Sequence, residues 1–460
     1  MSRLLSSRSI AVWVARDLSV FNIFSAPMST STTPRPSWLE TMLRSHSPGP
    51  KLFSWTTANL PTAQGDHHDA ATQSSESGDN SRRIYILGVG NLGRLFAMSL
   101  SQLQDSPPIT LVLHRRSLLE HWSMDPGIEM TRAGIISRMS QFKVEWWTEE
   151  KPDLGPVREV SDGQPISNLI VATKAPDALP QVDRLHRYLS GLSTVAFVQN
   201  GMNRLWPPLG AQYNAARYKL HDLPNWIVCV TTHGVTGLGP FKSIHASPAD
   251  VAVGSVLLND RTAASSDCLI QQILDAPNLD ARRVSSPDLW VLQLEKLVVN
   301  CIINPLTAIL RCKNGKLFEK QDGPIMRVMD LLLYEASQVL QALVRDDSSR
   351  TILTEADTVG DAEEAVESRR QQLLDRFSTN SLRRMLLAVG DRVKDNRSSM
   401  LQDVTAGKKT EIGEFNGWLV DTAQYLGGLD ISTHARLIRL VEGNATLDEA
   451  HLEKSLIDGS

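Results

Sequence analysis

One stretch, "RRIYILGVGNLGRLFAMSLSQ", constrains the chain more than any other. Four apolar residues, Ile84 to Leu87, run into Gly88, Val89, Gly90, Asn91, Leu92 and Gly93, and an apolar segment through Leu95, Phe96, Met98 and Leu100 comes next. A GxGxxG alone is a weak signal, but between a strand and a helix it predicts the first β–α turn of a dinucleotide-binding unit. The glycines permit a tight turn, let backbone approach a pyrophosphate, and let the helix pack close to the strand. The helix N-terminus favours the phosphate charge. Residues 88–93 are therefore candidate cofactor contacts, with a plain cluster of turn glycines as the alternative.

The second apolar strand, "ITLVLHRRS", spans residues 109–117. An NAD site usually has Asp or Glu near that strand's end to hold the ribose hydroxyls. Here His114, Arg115 and Arg116 stand there instead. Guanidinium groups suit a 2′-phosphate by charge and by bidentate geometry, so Arg115 and Arg116 predict NADP(H). Two solvent-facing arginines are the alternative. Three further apolar runs end in polar residues: Lys174, then Asn200 with Gly201, then Thr231, Thr232 and His233. That pattern predicts an open α/β sheet with its ligands beyond the carboxyl ends of the strands.

From about Pro287 the periodicity becomes helical. In "KLVVNCIINPLTA", Lys296, Asn300 and Asn304 recur every four residues. Each such step turns a helix by only about 40°, so the three share a face. The other positions are apolar, as in a buried helix, where an unpaired charge is costly. Any one asparagine reads most simply as a satisfied core amide. Three polar groups in register, one an ammonium, predict the wall of a polar cavity. Pro305 cannot donate to the Cys301 carbonyl, so a kink or restart and a free backbone acceptor are expected there. In "NRSSMLQDVTAGKKTEIGEFNGWLV", Asn396, Ser398 and Ser399 precede an apolar-periodic run. They read as helix caps, or as hydroxyl and N–H groups able to hold a carboxylate. Glu411 reads on its own as a surface helix acid.

Length allows two sizeable domains, since the chain has 460 residues. The net charge of −4 gives no general electrostatic case for nucleic acid or an anionic membrane. No apolar run reaches the ~18 residues that suggest a membrane span. The four cysteines form no close CxxC pair, which points to neither a zinc site nor a disulfide framework, and no metal is expected. Before Met28, three arginines and many serines accompany the lone acid Asp17. This composition resembles a mitochondrial transit peptide. A disordered tail on a cytoplasmic protein is the alternative, and Met28 could serve as an internal start. Residues 61–82 read as a linker, with "HHD" (His67, His68, Asp69) a weak metal-ligand pattern. The expected organisation is a tail and linker over 1–82, a Rossmann-type domain over 83–286, and an all-α domain over 287–455. The last carries a charged surface insertion around 344–394. Removal of residues 1–80 is expected to leave turnover intact.

Four motifs occur in one order: GVGNLG at 88–93, QNGMN at 199–203, EKLVVNCIINPLTA at 295–308, and NRSSMLQD with TEIGEFNG within 396–417. Together they resemble the ketopantoate reductase (2-dehydropantoate 2-reductase) family over residues 83 to about 445. The resemblance implies an NADPH domain, a helical domain, and an active site in the cleft between them. It implies that Lys296 protonates the substrate carbonyl and that Glu411 helps organise cofactor and lysine. It places Asn200, Asn300, Asn304, Asn314, Asn396, Ser398 and Ser399 on the substrate. Asn200 would stand at its junction with the cofactor, with Arg115 on the 2′-phosphate and Lys174 as a further cofactor contact. Arg397 stands where the family pattern has a more apolar residue. The implied reaction is NADPH-dependent reduction of 2-dehydropantoate to pantoate, on the route to pantothenate and coenzyme A. A relative acting on another branched 2-keto acid, and a non-catalytic descendant that binds or regulates, are the alternatives. A homodimer is compatible with the sequence, which does not determine the assembly.

Overall fold

Six parallel strands build the first half of the protein. Across the sheet they run Lys143–Thr148, Ile109–Leu113, Ile84–Leu87, Asn168–Val171, Thr194–Phe197 and Asn225–Thr231. Numbered along the chain, this is the 3-2-1-4-5-6 order of a doubly wound dinucleotide-binding sheet, whose crevice opens where the order reverses. The inner strands are buried at every position, as apolar runs covered on both faces must be. Antiparallel Val251–Leu257 and then Ala281–Arg283 extend one edge. Phe53–Trp55 and Arg158–Glu159 extend the other, giving ten strands. A second, four-stranded sheet joins Gly234–Gly239, Lys242–Ser247, Ile128–Arg132 and Ile135–Met139.

The computed structural model describes residues 36–44, 48–61, 81–219, 222–257, 263–354 and 362–458. The arginine-rich leader, Met28 and the HHD tract lie outside the described residues.

Two expectations about organisation are corrected. Residues 36–61 are not tail: the helix Ser37–Arg44 and the strand Phe53–Trp55 belong to the fold, and Leu39 and Leu52 are 0% and 1% exposed. Elements this short fall below the window in which periodicity can be recognised. The charged segment at 344–394 is likewise no mere surface insertion. Its helices Ala362–Arg376 and Thr379–Arg392, with Phe377 in the turn between them, bury Val366, Leu373, Phe377, Leu382 and Leu386 in the core that surrounds the central helix. One sparse apolar stripe suffices for that, and the charges between the stripe positions face outward.

The central helix, Ser286–Leu310, is the post of the second half. Ser285 caps it by accepting from the Asp288 N–H at 3.2 Å, and Pro287 occupies the first turn, where no N–H is needed. By length and composition it could cross a bilayer, yet most of it is buried inside the protein, as in the core helix of a globular domain. Helices Pro324–Arg345, Ser399–Thr405, Ile412–Tyr425 and Ser432–Glu442 pack around it. The break expected at Pro305 does not occur, and the helix continues to Leu310. Asn416 Nδ2 donates to the orphaned Cys301 carbonyl at 2.9 Å and satisfies it.

Candidate active site

The polar strand ends gather on one side. Gly88, Lys174, Asn200 and Thr231 all stand at or just beyond the carboxyl ends of neighbouring parallel strands. The first turn is built for backbone. Gly88 has φ +94°, and a Cβ at Gly93 would lie 2.1 Å from the Gly88 carbonyl oxygen. Gly90, by contrast, faces open space, with nothing within 4 Å of where its Cβ would be. It caps the helix Asn91–Leu100, whose first N–H groups have no helical partner. This open cradle fits a pyrophosphate. Val89 is buried, and its carbonyl accepts from Arg94 Nε at 3.0 Å. Leu92 packs on the core. The Asn91 side chain is turned to the second sheet: Nδ2 donates to the Val235 carbonyl at 3.0 Å and Oδ1 accepts from Ser243 at 3.3 Å. Asn91 therefore offers main chain, not side chain, to a cofactor.

The two arginines after the second strand separate. Arg115 is exposed, and its side chain makes no hydrogen bond or ion pair among the described residues. Arg116, expected beside it on the cofactor, pairs with Glu120 at 3.0 Å and lies over the Trp55 ring at 5.5 Å. Helix start and N-terminal strand together draw that guanidinium aside, leaving Arg115 as the free cation.

Lys174 and Glu411 join the two halves. Lys174 Nζ donates to Asp403 at 3.0 and 3.1 Å and to the Lys409 carbonyl at 3.1 Å. Glu411 accepts the Ala175 N–H at 2.9 Å. Burial pushes the Glu411 carboxyl up from the usual carboxylate range, while that N–H and the Lys174 charge act the other way.

Lys296 lies on the central helix, half-buried, with Nζ 2.6 Å from the Thr231 carbonyl oxygen. The contact carries the ammonium from the helical domain to the edge of the sheet. Burial lowers its pKa to about 8, and the negative charges of Glu411 and Asp250 oppose that shift. Such a group is protonated at neutral pH and yields its proton more readily than an exposed lysine. Asn300 and Asn304 come next on the same face, their amides 3.5 Å apart.

The loop at 393–399 is held from below by two residues expected on the substrate. Ser398 Oγ accepts the Leu401 N–H at 3.0 Å and shares a 2.7 Å hydrogen bond with Thr307, which ties it to the helix cap and to the central helix. Asn314 is 5% exposed; Nδ2 donates to the Val393 carbonyl at 3.1 Å, and its own N–H to the Asn396 carbonyl at 3.1 Å. Both residues position the loop, and Asn314 Oδ1, buried without a partner among the described residues, remains as an acceptor. The side chains of Asn396 and Ser399 are exposed and have no protein partner among the described residues. Asn200 is half-buried, and the Gly201 carbonyl beside it accepts from Gln293 of the central helix at 3.0 Å.

Sequence patterning missed the clasp behind the site. Arg204 pairs with Glu414 through both carboxylate oxygens, Nε lying at 2.9 Å, and its guanidinium lies 4.7 Å from the Trp38 ring centroid. The clasp thus links the Asn200 loop, the helix that begins after Glu411, and the N-terminal helix. A lone arginine in a loop carries no periodic signal.

The family model for ketopantoate reductase PanE/ApbA matches residues 84–257, and the model for the C-terminal domain of that family matches residues 288–445. The ketoisovalerate reductase of Beauveria bassiana is 43% identical over 456 residues, covering 92% of this chain and 99% of that protein. The probable 2-dehydropantoate 2-reductase of Schizosaccharomyces pombe is 28% identical, covering 75% of this chain and 91% of its own length. The crystal structure of a probable 2-dehydropantoate 2-reductase from Bacillus subtilis superimposes with TM-score 0.52 over 79% of this chain and 99% of that one; at 23% identity it establishes the fold alone.

Proposed function

This chain belongs to the ketopantoate reductase family, and we propose that it uses NADPH to reduce a branched 2-keto acid, with 2-ketoisovalerate the leading substrate. The observation that carries the reaction type is Lys296: a buried ammonium with pKa about 8, held by a strand-end carbonyl and succeeded on its face by two amides. Bound NADPH supplies the hydride for the carbonyl carbon. Lys296 stabilises the negative charge that develops on the carbonyl oxygen and gives it a proton, leaving a hydroxyl. The resulting neutral amine regains a proton from water. Asn300 and Asn304 orient the polar groups of the substrate, while Ser399 and Asn396 are free for its carboxylate. Gly88, Gly90 and Gly93 form the pyrophosphate cradle, and Arg115 meets the 2′-phosphate.

The substrate preference rests on the relatives. The protein named for ketoisovalerate is 43% identical and matches 92% of this chain, against 28% and 75% for the one named for 2-dehydropantoate. The two keto acids differ by one hydroxymethyl group, and 2-dehydropantoate is the second candidate. A role in pantothenate and coenzyme A supply goes with that second candidate. Following NADPH absorbance with each acid tests the proposal. A kcat/KM advantage of about 10-fold or more is expected for 2-ketoisovalerate, as a single added group allows. The opposite ranking selects 2-dehydropantoate, and turnover of neither overturns the reductase assignment.

A further inference from the structure

A buried polar chain behind Thr231 has a determined proton order. The Ala249 N–H donates to His233 Nδ1 at 2.9 Å, so that nitrogen carries no proton. The protonated Nε2 of His233 donates to the Leu279 carbonyl at 3.0 Å. His245 Nε2 lies 3.0 Å from the same His233 Nδ1 and must be its second donor. His245 Nδ1 is left as an acceptor, and Arg132 Nη2 donates to it at 2.9 Å. A backbone amide at one end and a guanidinium at the other therefore make each Nδ1 an acceptor and each Nε2 a donor. The rings are 8% and 3% exposed, with centroids 4.8 Å apart.

The chain terminates at the active site. The His233 N–H donates to Thr231 Oγ1 at 3.2 Å, and the Thr231 carbonyl accepts from Lys296 at 2.6 Å. Thr231 is the last residue of its strand, paired with Val251, and beyond it the ladder thins to a 3.5 Å contact from the Thr232 N–H to the Asp250 carbonyl. Two residues later the His233 ring is tied to Ala249 and Leu279. We infer that His233 and His245, held by Arg132, are positioning residues that fix the Thr231 carbonyl against the Lys296 ammonium. This inference rests on Lys296 being the proton donor. Of the charges that act on Lys296, Glu411 is bound by Ala175 outside the chain, whereas Asp250 adjoins it: its carbonyl accepts from Thr231 Oγ1 at 3.4 Å, and its carboxylate contacts Thr232 and Arg282.

The carbonyl favours the charged form of a buried lysine, so loosening it moves the Lys296 titration to lower pH. The test labels the full-length protein with acetic anhydride across a pH series and monitors acetylation of the Lys296 peptide by mass spectrometry. It is run beside kcat and KM measurements with NADPH and 2-ketoisovalerate. His245→Leu removes the donor to His233 and one acceptor of Arg132, which keeps the Asn278 carbonyl at 3.2 Å, whereas His245→Gln retains a donor at the Nε2 position. For His245→Leu the labelling midpoint should fall by about half a unit or more. Its kcat should drop roughly ten- to a hundredfold, with KM changed less. His245→Gln should restore most of both. An unchanged midpoint and kcat in His245→Leu overturns the inference, and so does equal impairment of the two variants, which would reflect packing volume alone. Should His245→Leu not fold, Arg132→Met carries the test from the less buried end of the chain; an unchanged midpoint there overturns the inference as well. Labelling needs no turnover, so a shifted midpoint in a protein that reduces neither keto acid would sink the proposed function and leave the positioning chain standing.

Discussion

Asn416 donates one amide hydrogen to the Cys301 carbonyl at 2.9 Å, in place of the backbone N–H that Pro305 lacks. Its Nδ2 also lies 2.8 Å from His434 Nδ1, and the other nitrogen of that ring donates to the Leu332 carbonyl at 3.0 Å. One amide thus lets an interior proline stand in the helix that carries Lys296. Asn416→Leu should lower stability by about 2–4 kcal/mol, because two buried acceptors lose their donor. Adding Pro305→Ala should recover part of that loss by restoring a helical N–H. Urea titrations of the single and double variants measure the coupling, and strict additivity would show that the amide does not serve the proline.

Lys296 makes activity and stability run in opposite directions with pH. Its ammonium is present below about 8 and lost above it, so turnover should decline on the alkaline side. The folded pKa lies below the unfolded value of about 10.4, so between the two values the unfolded chain binds more protons and unfolding free energy rises with pH. Lys296→Met should abolish that rise, keep NADPH binding, and reduce kcat by about 10²–10⁴-fold. Near-normal kcat in the folded variant would remove Lys296 from the mechanism.

Arg115 and Arg116 should differ in cofactor binding. Arg115→Ala should weaken NADPH by about one to two decades and NADH little, as loss of a charge-assisted contact does. Arg116→Ala should cost less, since that guanidinium is already engaged by Glu120 and Trp55. Fluorescence titration with both cofactors decides this, and equal losses for NADPH and NADH would contradict the 2′-phosphate role.

The N-terminal segment divides at about residue 35. A version starting at Met28 keeps the helix Ser37–Arg44 and should fold and turn over normally. Starting instead at residue 62 removes Leu39, Leu52, Trp55 and Leu60 from the core and Trp38 from the Arg204 clasp, and should be destabilised. Leu39→Ala alone should cost about 2–4 kcal/mol. Thermal melts compare the three. We also propose that the leader before Met28 directs mitochondrial import, and imaging the full chain beside the Met28 version tests it; uniform cytosolic signal from both would refute it.

The sequence by itself determined what depends on neighbours along the chain. The strand, glycine turn and helix at 84–100 are one continuous local pattern, and the face shared by Lys296, Asn300 and Asn304 comes from helical geometry alone. Tertiary structure decided which candidate side chains remain available. Arg115 and Arg116 are adjacent and chemically alike, and Glu120 on the same helix together with the distant Trp55 separates them. Ser398 and Ser399 are equally good caps on paper, yet Thr307, ninety-one residues before Ser398, consumes one and leaves the other. Pro305 read as a break until Asn416 supplied the missing donor from another helix. The Thr231 carbonyl that receives Lys296 has no side-chain identity to read at all. Local geometry is written in the spacing of residues, whereas a hydrogen bond across the fold depends on where two distant segments come to rest.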